Sequence, residues 1–185
     1  MIPIILIYLL RFCESQSPAV NYVVNIDSQI ESCDEESLLF VDISELTVGR
    51  YNETIAYMYG EVKFLKEVGL DTMVELILQK EASGNYELIF SHEICDLCAE
   101  VAKGSDSDYY PYLKYFEIPD GCPFVVGGYP VNNFVVDTEG LHLSSNSVGR
   151  YQAFLTLYKN ADKSCKNNKE FLGCVTLKLL IETDE

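Results

Sequence analysis

The chain has 185 residues, of which 48% are hydrophobic, and 29 acidic residues outnumber 13 basic ones, for a formal charge of −16 at pH 7. This length fits one domain with a substantial buried core. The acidity and the lack of a Lys/Arg cluster exclude nucleic-acid binding, and they argue against docking to an anionic membrane through a basic patch.

The N-terminal residues predict a secretory signal peptide. The apolar run at residues 2–10 is far shorter than the roughly 20 residues that a membrane-spanning helix needs. Small and polar residues follow it, which indicates a signal peptide over residues 1–15. Cleavage after Ser17 is the alternative site, although it would leave Pro18 beside the cut, and a buried N-terminal strand is the alternative structure. We therefore expect a secreted, extracellular protein with no transmembrane segment and a single mature domain at 18–185.

The cysteine count agrees with secretion. Seven cysteines would leave one free thiol, but removal of the signal peptide removes Cys13 and leaves an even number, which can form three disulfides. The pairing cannot be read from the sequence. Asn52 begins the N-glycosylation sequence Asn-Glu-Thr, which is usable only in a secreted chain. The remaining cysteines are Cys33, Cys95, Cys98, Cys122, Cys165 and Cys174.

Most of the mature chain is predicted to form β-strands. A short apolar stretch occupies residues 38–46, and apolar and polar side chains alternate over 54–66 and 72–79, as in half-buried strands. Gly, Asn and Asp turns separate these segments, so the pattern favours an antiparallel sandwich or barrel. Further strands are predicted at 86–90, 124–126, 131–137, 150–158 and 172–181.

One helix is predicted over residues 93–103, where apolar side chains recur at spacings of three and four. Ser91 is the expected N-cap, and Gly104 is the expected end. A loop rich in acidic and aromatic residues follows the helix.

No catalytic arrangement is readable. The two histidines, His92 and His142, lack triad or metal-ligand spacing. Residues 95–98 have the C-x-x-C spacing of a redox motif but no surrounding βαβ pattern, so structural disulfides to other cysteines are favoured. Asp106 and Asp108 do not fit the calcium-loop template. We therefore expect no enzymatic activity, no cofactor and no metal.

The predicted strands also carry many apolar side chains. These either fill a sandwich core or, if the two sheets splay apart, line a cavity for a hydrophobic ligand. Composition does not separate the two possibilities. The candidate wall residues are Met58, Val62, Phe64, Val74, Leu76, Leu78, Phe134, Val136, Leu155, Leu157, Val175, Leu177 and Leu179.

Five short motifs occur in a characteristic order from Cys122 onward. They are Cys122-Pro123-Phe124, Gly127-Gly128-Tyr129, Asn133-Phe134-Val135-Val136, Gly149-Arg150-Tyr151 and Gly173-Cys174-Val175. Over about residues 90–180 this order resembles the ganglioside-activator group of the ML lipid-recognition superfamily, which includes many secreted invertebrate proteins.

The resemblance implies an all-β fold, an immunoglobulin-like antiparallel β-sandwich with an apolar cavity between its sheets. It also implies a disulfide between Cys33 and Cys174. A second would join Cys122 to Cys95 or Cys98, and the other of these two would be left for Cys165. The loop at 106–115 differs from that of the activator and would lie near the cavity mouth, so the ligand does not transfer. Its rim candidates are Tyr109, Tyr110, Tyr112 and Tyr115.

The expected function is non-enzymatic binding or transport of a lipid or another small hydrophobic ligand, as in lipid transport, chemosensation or immune recognition. A protein receptor or an enzyme is a further candidate partner. One alternative is a secreted protein–protein interaction module with a solid core and an acidic receptor-binding surface. Another is a hydrolase of unrecognised type that depends on His92 or His142.

Overall fold

A computed structural model describes residues 21–52, 55–136, 143–166 and 169–184. The predicted signal peptide and His142 lie outside the described residues. In the described part, ten strands form two antiparallel sheets, so the predicted all-β sandwich is confirmed.

The strands follow one another along the whole described chain. In order they are β1 (Asn21–Ile26), β2 (Glu31–Ser32), β3 (Val41–Asp42), β4 (Thr47–Arg50), β5 (Ala56–Phe64), β6 (Thr72–Ala82), β7 (Asn85–Ile94), β8 (Gly127–Phe134), β9 (Gly149–Lys159) and β10 (Glu170–Asp184). Two short helices, α1 (Leu97–Val101) and α2 (Tyr110–Leu113), lie between β7 and β8 among the described residues. Single 3₁₀ turns lie at Ser37–Leu39, Gly104–Asp106 and Ser145–Ser147.

The two sheets differ in size. The large sheet has the strand order β1-β10-β9-β6-β7, with β2 also paired to β10. In the small sheet β5 is central, with β8, β4 and β3 paired to it. Because β9 is the third of five strands in the large sheet, its inward side chains are expected to face the middle of the core.

The hydrophobic core lies between the sheets. Phe64 of β5 contacts three other aromatic rings, those of Phe40, Phe124 and Tyr129, with centroid distances of 6.1, 6.4 and 5.5 Å. Edge-on and offset ring contacts of this kind add to the stabilisation from area burial. The buried core includes Ile26, Phe40, Met58, Val68, Phe124, Tyr129, Val131 and Leu157.

Three disulfides join the described cysteines. Cys33–Cys174 links the start of the domain to its last strand, as the resemblance implied. Cys98 rather than Cys95 pairs with Cys122. The third bond, Cys95–Cys165, joins the segment before α1 to the loop between β9 and β10. The choice that the sequence left open is therefore resolved.

The helix predicted at 93–103 was placed too early and made too long. Glu93 and Ile94 belong to β7, because their positions continue the antiparallel register with β6. The helix begins after Asp96, whose side chain accepts a hydrogen bond from the Ala99 N–H at 3.0 Å. Asp96 is therefore the N-cap in place of Ser91.

Two strand predictions also need correction. Phe124, predicted to begin a strand, forms an isolated bridge with Val68, and β8 begins at Gly127. Strand β1 was not predicted, although it pairs with β10 along its whole length. It begins only a few residues after the predicted signal peptide.

Candidate hydrophobic-ligand site

The inner face of the large sheet can be followed through its cross-strand pairs. Directly opposed residues of antiparallel strands point to the same face. Leu155 of β9 lies opposite Leu76 of β6 on one side and Val175 of β10 on the other. Val175 packs against the core and Leu157, two residues beyond Leu155, is part of it, so Leu155 points inward.

Leu155 is nevertheless 37% exposed, whereas Leu157 is 6% exposed. A central strand of a fully covered sandwich buries the inward side chains of both positions. Leu78 and Phe90 form the next cross-strand pair on this face, and Phe90 is 50% exposed. The small sheet therefore leaves part of the inner face accessible to solvent. We call Leu76, Leu78, Phe90 and Leu155 the open strip.

The loop with the rim tyrosines connects the two sheets beside the open strip. The Tyr109 hydroxyl forms a hydrogen bond with Nε2 of His92, which lies opposite Leu76 in β7. The Phe90 and His92 rings stack with centroids 6.0 Å apart. One end of the loop is therefore fixed to the large sheet next to the strip.

The other end of the loop is fixed to the small sheet. The Tyr115 ring meets the Phe134 ring edge-on at 5.5 Å, and the Tyr115 carbonyl accepts a hydrogen bond from the Asn132 N–H at 2.7 Å. Between these anchors, Tyr110 and Tyr112 are 43% and 38% exposed. Two of the four rim candidates thus hold the loop in place, and two present their rings to solvent.

The surroundings of Tyr109 keep its phenol neutral. Burial raises the pKa of Tyr109, and the negative charges of Glu100 and Asp108 raise it further. Glu100 is itself paired with Lys103 at 2.6 Å. A neutral hydroxyl can hydrogen-bond to His92 or to a ligand polar group while its ring covers apolar surface.

The predicted wall residues separate into two groups. Eight belong to the filled core or pack against it: Met58, Val62, Phe64, Phe134, Leu157, Val175, Leu177 and Leu179. Val74 is buried, and Val136 is half-buried beyond the end of β8. The remaining three, Leu76, Leu78 and Leu155, lie in the open strip.

Sequence reasoning missed Phe90 and the position of His92. The β6–β7 register shifts between Leu78 and Gln79, so the regular alternation of faces along β7 is interrupted between Leu88 and Phe90. Simple alternation along β7 therefore did not indicate that Phe90 and His92 share a face with Leu78. A bulge of this kind is hard to locate from one sequence.

A separate open pocket of about 450 Å³ lies beside β3 and β4. Its apolar lining includes Ile30, Ile43 and Leu46, together with several polar side chains. None of the predicted wall or rim residues contributes to it.

The remaining predicted features have the following positions. Asn52 is exposed after β4, and its side-chain oxygen accepts a hydrogen bond from the Ile55 N–H at 2.7 Å, while Glu53 and Thr54 lie outside the described residues.

Across the described ranges, no three His, Cys, Asp or Glu side chains are grouped so that they could hold a metal ion. No helix within those ranges is long and apolar enough to cross a membrane.

Comparison with known proteins gave no relative: neither the protein-family models nor the curated proteins contain a match to this chain.

Proposed function

We propose that this chain is a secreted, non-enzymatic binding or carrier protein for a lipid or another small hydrophobic ligand, held against the inner face of the large sheet. The observation that carries the proposal is the exposure of Leu155, an inward side chain of the central strand. Three disulfides are compatible with an oxidising, extracellular compartment. The order of motifs from Cys122 onward supports the same class.

The physical basis of binding is transfer of apolar groups out of water. Each buried methylene of a ligand contributes about 0.8 kcal/mol, so a long alkyl chain can be held with few polar contacts. The open strip offers three leucines and a phenylalanine for such a chain. Tyr109 lies beside it through its hydrogen bond with His92, and the exposed Tyr110 and Tyr112 follow in the same loop. A tyrosine ring is apolar in body and polar at the tip, which suits an amphipathic ligand.

A second candidate is a protein–protein interaction module. Strand β7 ends the large sheet in the described part of the chain, and its Leu88 and Ile89 are 63% and 55% exposed. An uncovered apolar edge strand can pair with a strand of a partner protein. This candidate needs no accessible strip between the sheets.

Titration with the fluorescent probe N-phenyl-1-naphthylamine separates the two functions. We expect the secreted, delipidated protein to bind the probe, and Leu155→Gln to weaken binding about tenfold, because a polar amide replaces apolar contact surface. Leu88→Gln is the matched control. Leu88 is more exposed than Leu155, but it pairs with Gln79, which follows Leu78 in β6 and points to the opposite face of the sheet from the open strip. We expect this variant to bind within about twofold of the original chain.

Leu78→Gln gives a second test at the open strip, and near-ultraviolet circular dichroism establishes that each variant is folded. Equal effects of Leu155→Gln and Leu88→Gln, or no binding by the unmodified protein, would overturn the proposal. The interaction module would then be the better function.

A further inference from the structure

A lysine lies at one end of the open strip, on the same face of the sheet. Lys80 is two residues beyond Leu78 in β6 and lies opposite Tyr151 of β9. The Tyr151 side chain is buried, and Leu179, its neighbour on β10, packs against the core. Lys80 therefore belongs to the inner face and not to the outer surface of the sheet.

Within the described ranges, the partners of the Lys80 ammonium group are neutral. Its Nζ donates a hydrogen bond to the backbone carbonyl of Asn146 at 2.5 Å and lies 5.4 Å from the centre of the Tyr151 ring. In contrast, Lys63, Lys103 and Lys169 each pair with a carboxylate.

Lys80 forms no ion pair with any described residue, although 29 residues of the chain are acidic. Even Glu87, directly opposite Lys80 in β7, forms none. An ammonium group can donate three hydrogen bonds, so donors remain for an anionic oxygen.

The spacing along β6 fits an amphiphile with one charged end. Leu76, next to the tyrosine loop, and Lys80 are four residues apart, which corresponds to about 13 Å along a strand. An alkyl chain can lie over Leu78 between these positions, with its anionic end at Lys80. Exposed Glu81 and Glu87 near this end disfavour a group with several negative charges.

Resting on the function proposed above, we infer that the ligand is a fatty acid, whose single carboxylate binds Lys80 and part of whose alkyl chain lies on the open strip. A carboxylate accepts a charge-assisted hydrogen bond from an ammonium group, whereas an ester of the same chain offers only a neutral acceptor. The protein should therefore distinguish the acid from its ester.

The test is competition of palmitate and methyl palmitate against N-phenyl-1-naphthylamine on the secreted, delipidated chain at pH 7.5. We expect the unmodified protein to bind palmitate about tenfold more tightly than the ester. Lys80→Met should weaken palmitate binding to about that of the ester and so remove this preference, whereas Lys80→Arg should keep it. Lys66→Met is the control, because Lys66 is an exposed lysine in the loop after β5.

The outcomes separate this inference from the function on which it rests. Equal binding of acid and ester by the unmodified protein would overturn the fatty-acid inference and leave the carrier function standing. Binding of neither compound, with the probe also unbound, would overturn the carrier function itself. Equal loss of acid and ester in Lys80→Met would show that Lys80 only supports the fold, which also contradicts the inference.

Discussion

Gly60 lies in β5 at a point where the chain passes very close to a neighbouring backbone. Its φ angle is +121°, in a region that side chains other than glycine rarely adopt. A β-carbon at this position would be 2.1 Å from the carbonyl oxygen of Glu45. The register between β5 and β8 also shifts at this residue. Glycine therefore allows β5 to pass close to the backbone of the turn between β3 and β4.

We predict that Gly60→Ala lowers the free energy of unfolding by more than about 3 kcal/mol, because backbone strain of about 1–3 kcal/mol adds to a clash with main-chain atoms. Gly84→Ala is the control: its φ angle is +81°, but no atom lies within 4 Å of the added carbon, so we expect a loss of about 1 kcal/mol. Urea denaturation measures both. Equal losses would mean that the close approach to Glu45 does not constrain the fold.

At the scale of single residues, the sequence indicated which side chains share a face of a strand better than it indicated how exposed each side chain is. Alternation in β9 correctly grouped Leu155 and Leu157, but their different exposures depend on how far the small sheet extends over the large one. That overlap is set by contacts between segments distant in the chain. For Lys80, alternation along β6 indicates the face that it shares with Leu78, but its lack of an ion pair with any described carboxylate depends on the folded structure.

The short helix α1 shows how a local element is fixed by tertiary contacts. Its N-cap, Asp96, also pairs with Lys163 of the β9–β10 loop at 2.7 Å, beside the Cys95–Cys165 disulfide. The sequence predicted a helix here from apolar spacing, which α1 confirms for Leu97–Val101. Its start could not be predicted, because pairing with β6 holds the preceding residues in a strand.

The carboxylate of Asp96 makes the stability of this region depend on pH. Burial raises the pKa of Asp96, but hydrogen bonds from Lys163 and the Ala99 N–H lower it more, so the net shift is downward. A group whose pKa is lower in the folded state stabilises the fold above its unfolded pKa of about 3.9. This contribution is lost as the pH falls through the folded pKa.

We predict that Asp96→Asn, which keeps a capping oxygen but removes the charge, lowers the free energy of unfolding by up to about 1 kcal/mol at pH 7, since the Lys163 partner is partly exposed. The difference from the unmodified protein should diminish as the pH is lowered from 7 to 2, because protonation of Asp96 removes its charge. Urea denaturation at the two pH values measures it, with the exposed Asp120→Asn as control. A difference that persisted at pH 2 would contradict the ion-pair explanation.

At the scale of the whole molecule, strand periodicity was enough to predict an all-β sandwich, but not its pairing. Assignment of strands to a large and a small sheet depends on long-range register, such as β1 with β10. The disulfides connect positions up to 141 residues apart in the chain, and only the resemblance suggested their pattern. The unequal sizes of the sheets are consistent with the open strip, and this inequality has no signature in one sequence.

The most direct test of the carrier function is native mass spectrometry of the secreted, oxidised protein before and after delipidation. We predict extra mass that delipidation removes and that returns when a long-chain fatty acid is added. The carrier function would be contradicted if the mass matched the mature chain with three disulfides and any glycan at Asn52, and if no lipid bound at concentrations below those at which it forms micelles.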